Sequence, residues 1–194
     1  MSTETHMRGE AHDRRVNWIV LAVVAVALLL GWFVRTAAEG RSVSYEVEGV
    51  RVHYPADWVR ADARAPVLVQ AEDRMAKGSR TTLALQRRPL PVQMPKPLAA
   101  LQQTLALERA SAWTAYRELQ VEESVSVQGR TGMHVTFAYV ETNPNPFLET
   151  LPLVMRGEDY LFPQDSQAYI FTLTAAEANY ARAQQTLRAF MRSR

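Results

Sequence analysis

The stretch WIVLAVVAVALLLGWFV, Trp18 to Val34, carries no charge and a single glycine. With Val16 and Asn17 before it, the run approaches the roughly 20 residues that take a helix across a bilayer. A core helix keeps a polar stripe for water, and this one is apolar all round. Trp18 and Trp32 stand near its two ends, where interfacial indoles settle. The sequence thus predicts a polar leader over 1–15, a transmembrane helix over 16–34, a short tether over 35–41 and a domain over 42–194. A cleaved signal peptide is the competing reading, because Thr36-Ala37-Ala38 offers small residues where a peptidase cuts. The mixed charge of the leader and the length of the apolar run favour an anchor that stays.

Arg8, Arg14 and Arg15 precede the helix, while Arg35 and Arg41 follow it. That balance tips the N-terminus toward the cytoplasm and places the domain on the extracytoplasmic side. Cysteine is absent, so neither a disulfide nor a lipidated cysteine is available, and the helix is the one visible tether. From Ser42 onward 17 basic residues face 16 acidic ones. Nucleic acid demands a clustered cationic footprint, which this near-neutral domain does not offer.

Within the domain, Val43, Tyr45 and Val47 alternate with polar residues, as do Val50, Val52 and Tyr54, with Glu48-Gly49 as a turn between them. Residues 43–54 therefore read as a hairpin. Strands are expected over 65–73 and 81–88, joined by a turn at 77–80. Pro89, Pro91, Pro95 and Pro97 then predict an extended, polyproline-like connector, with Pro97 in the first turn of a helix. Leu98, Leu101, Leu105, Ala112, Tyr116 and Leu119 follow at helical spacing.

A long hairpin is expected over 119–127 and 132–142, then a strand over 151–157, a turn at Glu158-Asp159, and a strand over 167–174. Thr174-Ala175-Ala176-Glu177 matches a capping box, opening an amphipathic helix through Tyr180, Ala183, Leu187 and Phe190. Four strands, a helix, four strands and a helix, joined by short links, give an α+β class. The arrangement is an antiparallel sheet flanked by helices, an α/β/α sandwich.

The opening Y-x-V-x-G-V-x-V-x-Y-P-x-x-W, Tyr45 to Trp58, resembles the start of a PsbP-like domain. So does the late RGEDYLFP and AYIFTLTA pair with the amphipathic helix after it, Arg156 to Met191. The family takes its name from an extrinsic lumenal protein of photosystem II. It shares its fold with the Mog-type Ran-binding factor and several bacterial envelope proteins. The resemblance covers 42–194 and implies a central antiparallel sheet between helices, with binding or assembly rather than catalysis as the task. A membrane anchor departs from the plant lumenal proteins, and no family metal ligand or Ran-contacting residue maps onto positions here.

The residues that carry chemistry are sparse. In VHYPADW, Pro55 ends a strand, Trp58 closes the sheet end, and His53 faces away from Val52 and Tyr54. His134 sits mid-strand; joining it with His53 and a carboxylate makes a thin metal set, and a hydrogen-bonded or exposed histidine is the simpler reading. Glu72-Asp73 and Glu158-Asp159 offer oxygens to a hard cation, yet neither matches a calcium loop, so solvated turn charges are expected. No G-x-S-x-G elbow and no phosphate loop is present, so neither enzyme class nor cofactor is indicated.

Partner binding falls instead on two proline-flanked segments. The first is TNPNPFLET, where Pro144, Pro146, Phe147 and Leu148 make a docking tip or, alternatively, a plug folded under the domain. The second is the connector with Pro91 and Pro95, a docking strip or a plain spacer. The sequence reading is a noncatalytic accessory, stabilising or assembly subunit of a larger membrane complex, with electron transport or photosynthesis as its setting. The alternative is a stand-alone envelope module binding a small ligand or a cation.

Overall fold

Alternation in the first domain residues closes a tight hairpin, β1 (Ser42–Val47) with β2 (Val50–Pro55), in register from Ser42 opposite Pro55 to Val47 opposite Val50. Its two turn residues both take positive φ, Glu48 at 49° and Gly49 at 77°, the geometry that matches the twist of the flanking strands. The computed structural model describes residues 18, 20–33, 41–75, 80–91, 93–142 and 151–192. The chain divides into two units, Met1–Arg41 and Ser42–Arg194. In the first, helix α1 runs over 20–33, and every described position on it is exposed. Among the described residues no helix is long and apolar enough to cross a membrane. Val16, Asn17, Ile19 and Val34 of the expected span lie outside them, as do the leader and the tether up to Gly40.

The second unit is built on a seven-stranded antiparallel sheet. Its strands are β3 (Val59–Ala61), β4 (Val67–Asp73), β5 (Thr81–Pro89), β6 (Thr114–Val127), β7 (Arg130–Glu141), β8 (Leu153–Gln164) and β9 (Gln167–Ala176), in spatial order β3-β4-β5-β9-β8-β7-β6. Two helices complete it, α2 (Pro97–Ala112) and α3 (Tyr180–Phe190). On one face the β1–β2 hairpin and α3 pack Val52, Tyr54, Leu187 and Phe190 against Val69, Leu83, Leu85, Phe171 and Leu173. On the other, α2 packs Leu101 and Leu105 against Met133, Val135, Leu161 and Ile170. Each such side chain buried from water contributes about 1.5–3 kcal/mol. The layers are those of the expected α/β/α sandwich, with the hairpin as a separate two-stranded sheet sharing the α3 layer. Trp58 packs against that core as expected, and His53 faces away from buried Val52 and Tyr54.

Several local expectations are corrected. The α2 helix stops at Ala112 because Trp113 turns extended (φ −114°, ψ 135°); Tyr116 and Leu119 belong to β6, where β-branched and aromatic residues favour the pleat. β3 appears where no strand is expected. Glu158-Asp159 is no turn: β8 runs straight through it, and both residues are buried. β9 continues to Ala176, so Thr174 stays in the sheet and no capping box forms. Glu177 instead meets Arg156 at 3.4 Å. The connector before α2 is a turn, with Met94 N–H donating to the Pro91 carbonyl at 2.9 Å, rather than an extended strip.

Candidate functional site

Strand β5 reads TTLALQRRP, and its pleat sorts those residues by face. Leu83 and Leu85 enter the α3-side core, whereas Thr82, Ala84, Gln86 and Arg88 share the α2 side. Because α2 packs Leu101 and Leu105 over β7, β8 and β9, the face beyond them at β4 and β5 stays uncovered and forms a trough of about 400 Å³. Its floor comes from Val67 and Gln70 of β4, the four β5 residues, and Thr172 and Thr174 of β9. Leu105, Glu108, Arg109 and Ala112 of α2, one helical stripe, form the wall, and Trp113 stands at its end.

Every charge in this lining is neutralised within the domain. Arg88 donates to both oxygens of Glu108, at 3.4 and 2.9 Å. Arg109 makes a two-pronged bond to buried Asp159, Nη1 to Oδ2 and Nη2 to Oδ1, the latter at 2.9 Å. The Thr172 hydroxyl donates to the same carboxylate at 2.7 Å. Burial opposes the guanidinium charge of Arg109, but the adjoining Asp159 outweighs it, so the pKa of Arg109 is raised. Aromatic faces surround this pair: Arg109 lies 4.4 Å from the Phe137 ring centroid and 5.3 Å from that of Trp113. Trp113 in turn stacks on Tyr139 at 4.3 Å. Burial raises the pKa of Tyr139 against an opposing hydrogen bond from Thr174, and that of Tyr116 against the nearby positive charge of Arg109.

On the opposite face Glu158 anchors a second network. His134 Nε2 lies 3.1 Å from Glu158 Oε2, and the Gln184 amide of α3 donates to that oxygen at 3.2 Å. Glu122 approaches His134 Nδ1 at 3.7 Å, and the imidazole stacks on Tyr160 at 4.4 Å. Burial, then the Glu158 charge, raises the pKa of Tyr180 strongly. His134 is thus hydrogen-bonded, as the simpler reading expected. Glu158 and Asp159 point to opposite faces, which corrects the picture of a paired acidic turn: they do not share one cation. Among the described residues no three His, Cys, Asp or Glu side chains are grouped to hold a metal ion.

Of the expected partner residues, Pro144, Pro146, Phe147 and Leu148 lie outside the described residues. Pro91 is half-buried and Pro95 exposed, next to Met94, itself 55% exposed. Trp18 is exposed, as is Trp32 on α1. Sequence reasoning missed Arg109, Trp113 and the polar β5 face. The signal for the face was present, since Thr82, Gln86 and Arg88 alternate with Leu83 and Leu85.

No family model matches the sequence, and no curated protein matches it. Among solved structures, cyanobacterial PsbP (CyanoP) from Synechocystis sp. PCC 6803 aligns over 77% of this chain and 88% of its own, with TM-score 0.56 and 11% identity. The fold is PsbP-like. The Ran-binding protein Mog1p of Saccharomyces cerevisiae aligns over 77% of this chain and 87% of its own, at TM-score 0.47 and 12% identity. LpqN of Mycobacterium tuberculosis, described as involved in cell envelope biogenesis, covers the same shares at TM-score 0.46 and 8% identity. In this PsbP-like fold the trough lies on the α2 side of the sheet, away from the hairpin and α3.

Proposed function

We propose that this chain is a noncatalytic accessory, stabilising or assembly subunit of a larger membrane complex, working in electron transport or photosynthesis. The observation that carries the reading is the PsbP-like fold shared with CyanoP, and the step from fold to role is analogy. The site chemistry supports it: the trough's two arginines are paired, Arg88 with Glu108 of the lining and Arg109 with Asp159 beneath it, which favours a recognition surface over a reactive one. The anchor belongs to the same proposal. Its support is the sequence: the uncharged run from Trp18 to Val34, with Val16 and Asn17 before it, approaches the roughly 20 residues that span a bilayer. The anchored N-terminus lies in the cytoplasm and the domain on the extracytoplasmic face, where tethering raises its concentration beside membrane partners.

The trough also favours a second reading, a stand-alone envelope module for a small ligand, because its volume falls in the range of small-molecule sites. Native gels of membranes with and without the chain separate the two. The accessory reading predicts that one assembled complex falls in amount when the chain is deleted. An unchanged set of complexes contradicts it.

A further inference from the structure

The floor of the trough has a period. Thr82, Ala84, Gln86 and Arg88 occupy alternate positions of β5, so groups on this face recur about every 6.6–6.8 Å. An extended peptide repeats its own N–H, C=O and side-chain groups at the same interval. The wall from Leu105 to Trp113 is about 12 Å long at helical rise, the length of roughly three to four extended residues.

Charge narrows the occupant. Arg88 is bonded to Glu108 and Arg109 to Asp159, so an ionic group entering here finds no unpaired counter-charge in the lining. Hydroxyls and amides remain. The Thr172 hydroxyl donates its hydrogen bond to Asp159 and keeps acceptor lone pairs, while Thr82 and Gln86 bring a hydroxyl and an amide. Ala84, Leu105, Ala112 and Trp113 add apolar surface. That mixture suits a neutral main chain carrying small or apolar side chains.

We propose that the trough beside α2 docks an uncharged, extended segment of about three to four residues from a partner protein. The segment's main chain bonds the threonine and glutamine side chains of the floor, and one apolar side chain packs at Trp113. This inference rests on the accessory-subunit reading and names where the partner sits.

The test places the photo-crosslinker benzoylphenylalanine at Gln86 of the full chain in native membranes, with a control at Leu107, which is 73% exposed on α2. The expected adduct from Gln86 maps to an uncharged stretch of a subunit that co-purifies with the wild type. Ala84→Trp, which fills the floor, lowers that adduct about tenfold; Thr82→Trp serves if the first variant does not fold. Adducts to lipid, to a small molecule or to a charged stretch overturn the proposal. So does co-purification and crosslinking that survive both fillings. If no subunit co-purifies with the wild type, the accessory reading falls and this inference with it.

Discussion

Replacing Arg109 with Met strips a buried carboxylate of its counter-ion. Side-chain exposure is 10% for Arg109 and 2% for Asp159, so water does not take over the missing bonds. Breaking a buried pair from one side costs about 3–5 kcal/mol, because the charge left behind stays desolvated. Lost contacts with Phe137 and Trp113 act in the same direction. A domain of this size has roughly 5–15 kcal/mol in total, and melting falls roughly 2–4 °C per kcal/mol. The single variant should therefore melt about 6–20 °C below the wild type. Removing both charges, Arg109→Met with Asp159→Leu, should recover at least half of that loss, since apolar replacement of a buried pair is often neutral. Circular-dichroism melts of the full chain in one detergent read both. A single variant melting within about 2 °C of wild type, or a double variant no better than the single, refutes the reasoning.

Two further predictions follow from burial. Tyr180, Tyr139, Tyr160 and Tyr116 all have raised pKa values, with burial as the first cause. The folded state then holds phenolic protons that the unfolded chain releases near pH 10, so stability should fall as pH rises beyond about 10. Melting curves between pH 9 and 11 (an approximate window set by the tyrosine reference value) check this, and Tyr180→Phe should flatten the slope. Gly157 lies opposite Phe137 in the β7–β8 register, and a methyl group there would collide with the phenyl ring and the Leu173 carbonyl. Gly157→Ala should cost about 1–3 kcal/mol by overpacking, read from a denaturant midpoint.

How much of this was legible depends on the range of the interaction. The β1–β2 hairpin shows in the sequence because alternation and a Glu-Gly turn are local properties. The α3 stripe of Tyr180, Ala183, Leu187 and Phe190 is equally local. The end of α2 misleads because Tyr116 and Leu119 extend the helical spacing by coincidence, while Trp113 breaks it. Gly157-Glu158-Asp159 imitates a turn, yet the glycine makes room for Phe137 and both acids are held by distant partners. Asp159 meets Arg109 across 50 positions and Glu158 meets His134 across 24, distances that no window of local pattern spans. The trough follows from the same cause, since it exists only where α2 leaves part of the sheet uncovered.

The most direct test of the accessory-subunit account is purification of the full-length chain from native membranes in mild detergent, with mass spectrometry of what stays bound. The account predicts a stoichiometric set of membrane subunits that persists across several detergents. A lone chain, recovered with its N-terminal helix intact under all of them, would contradict it.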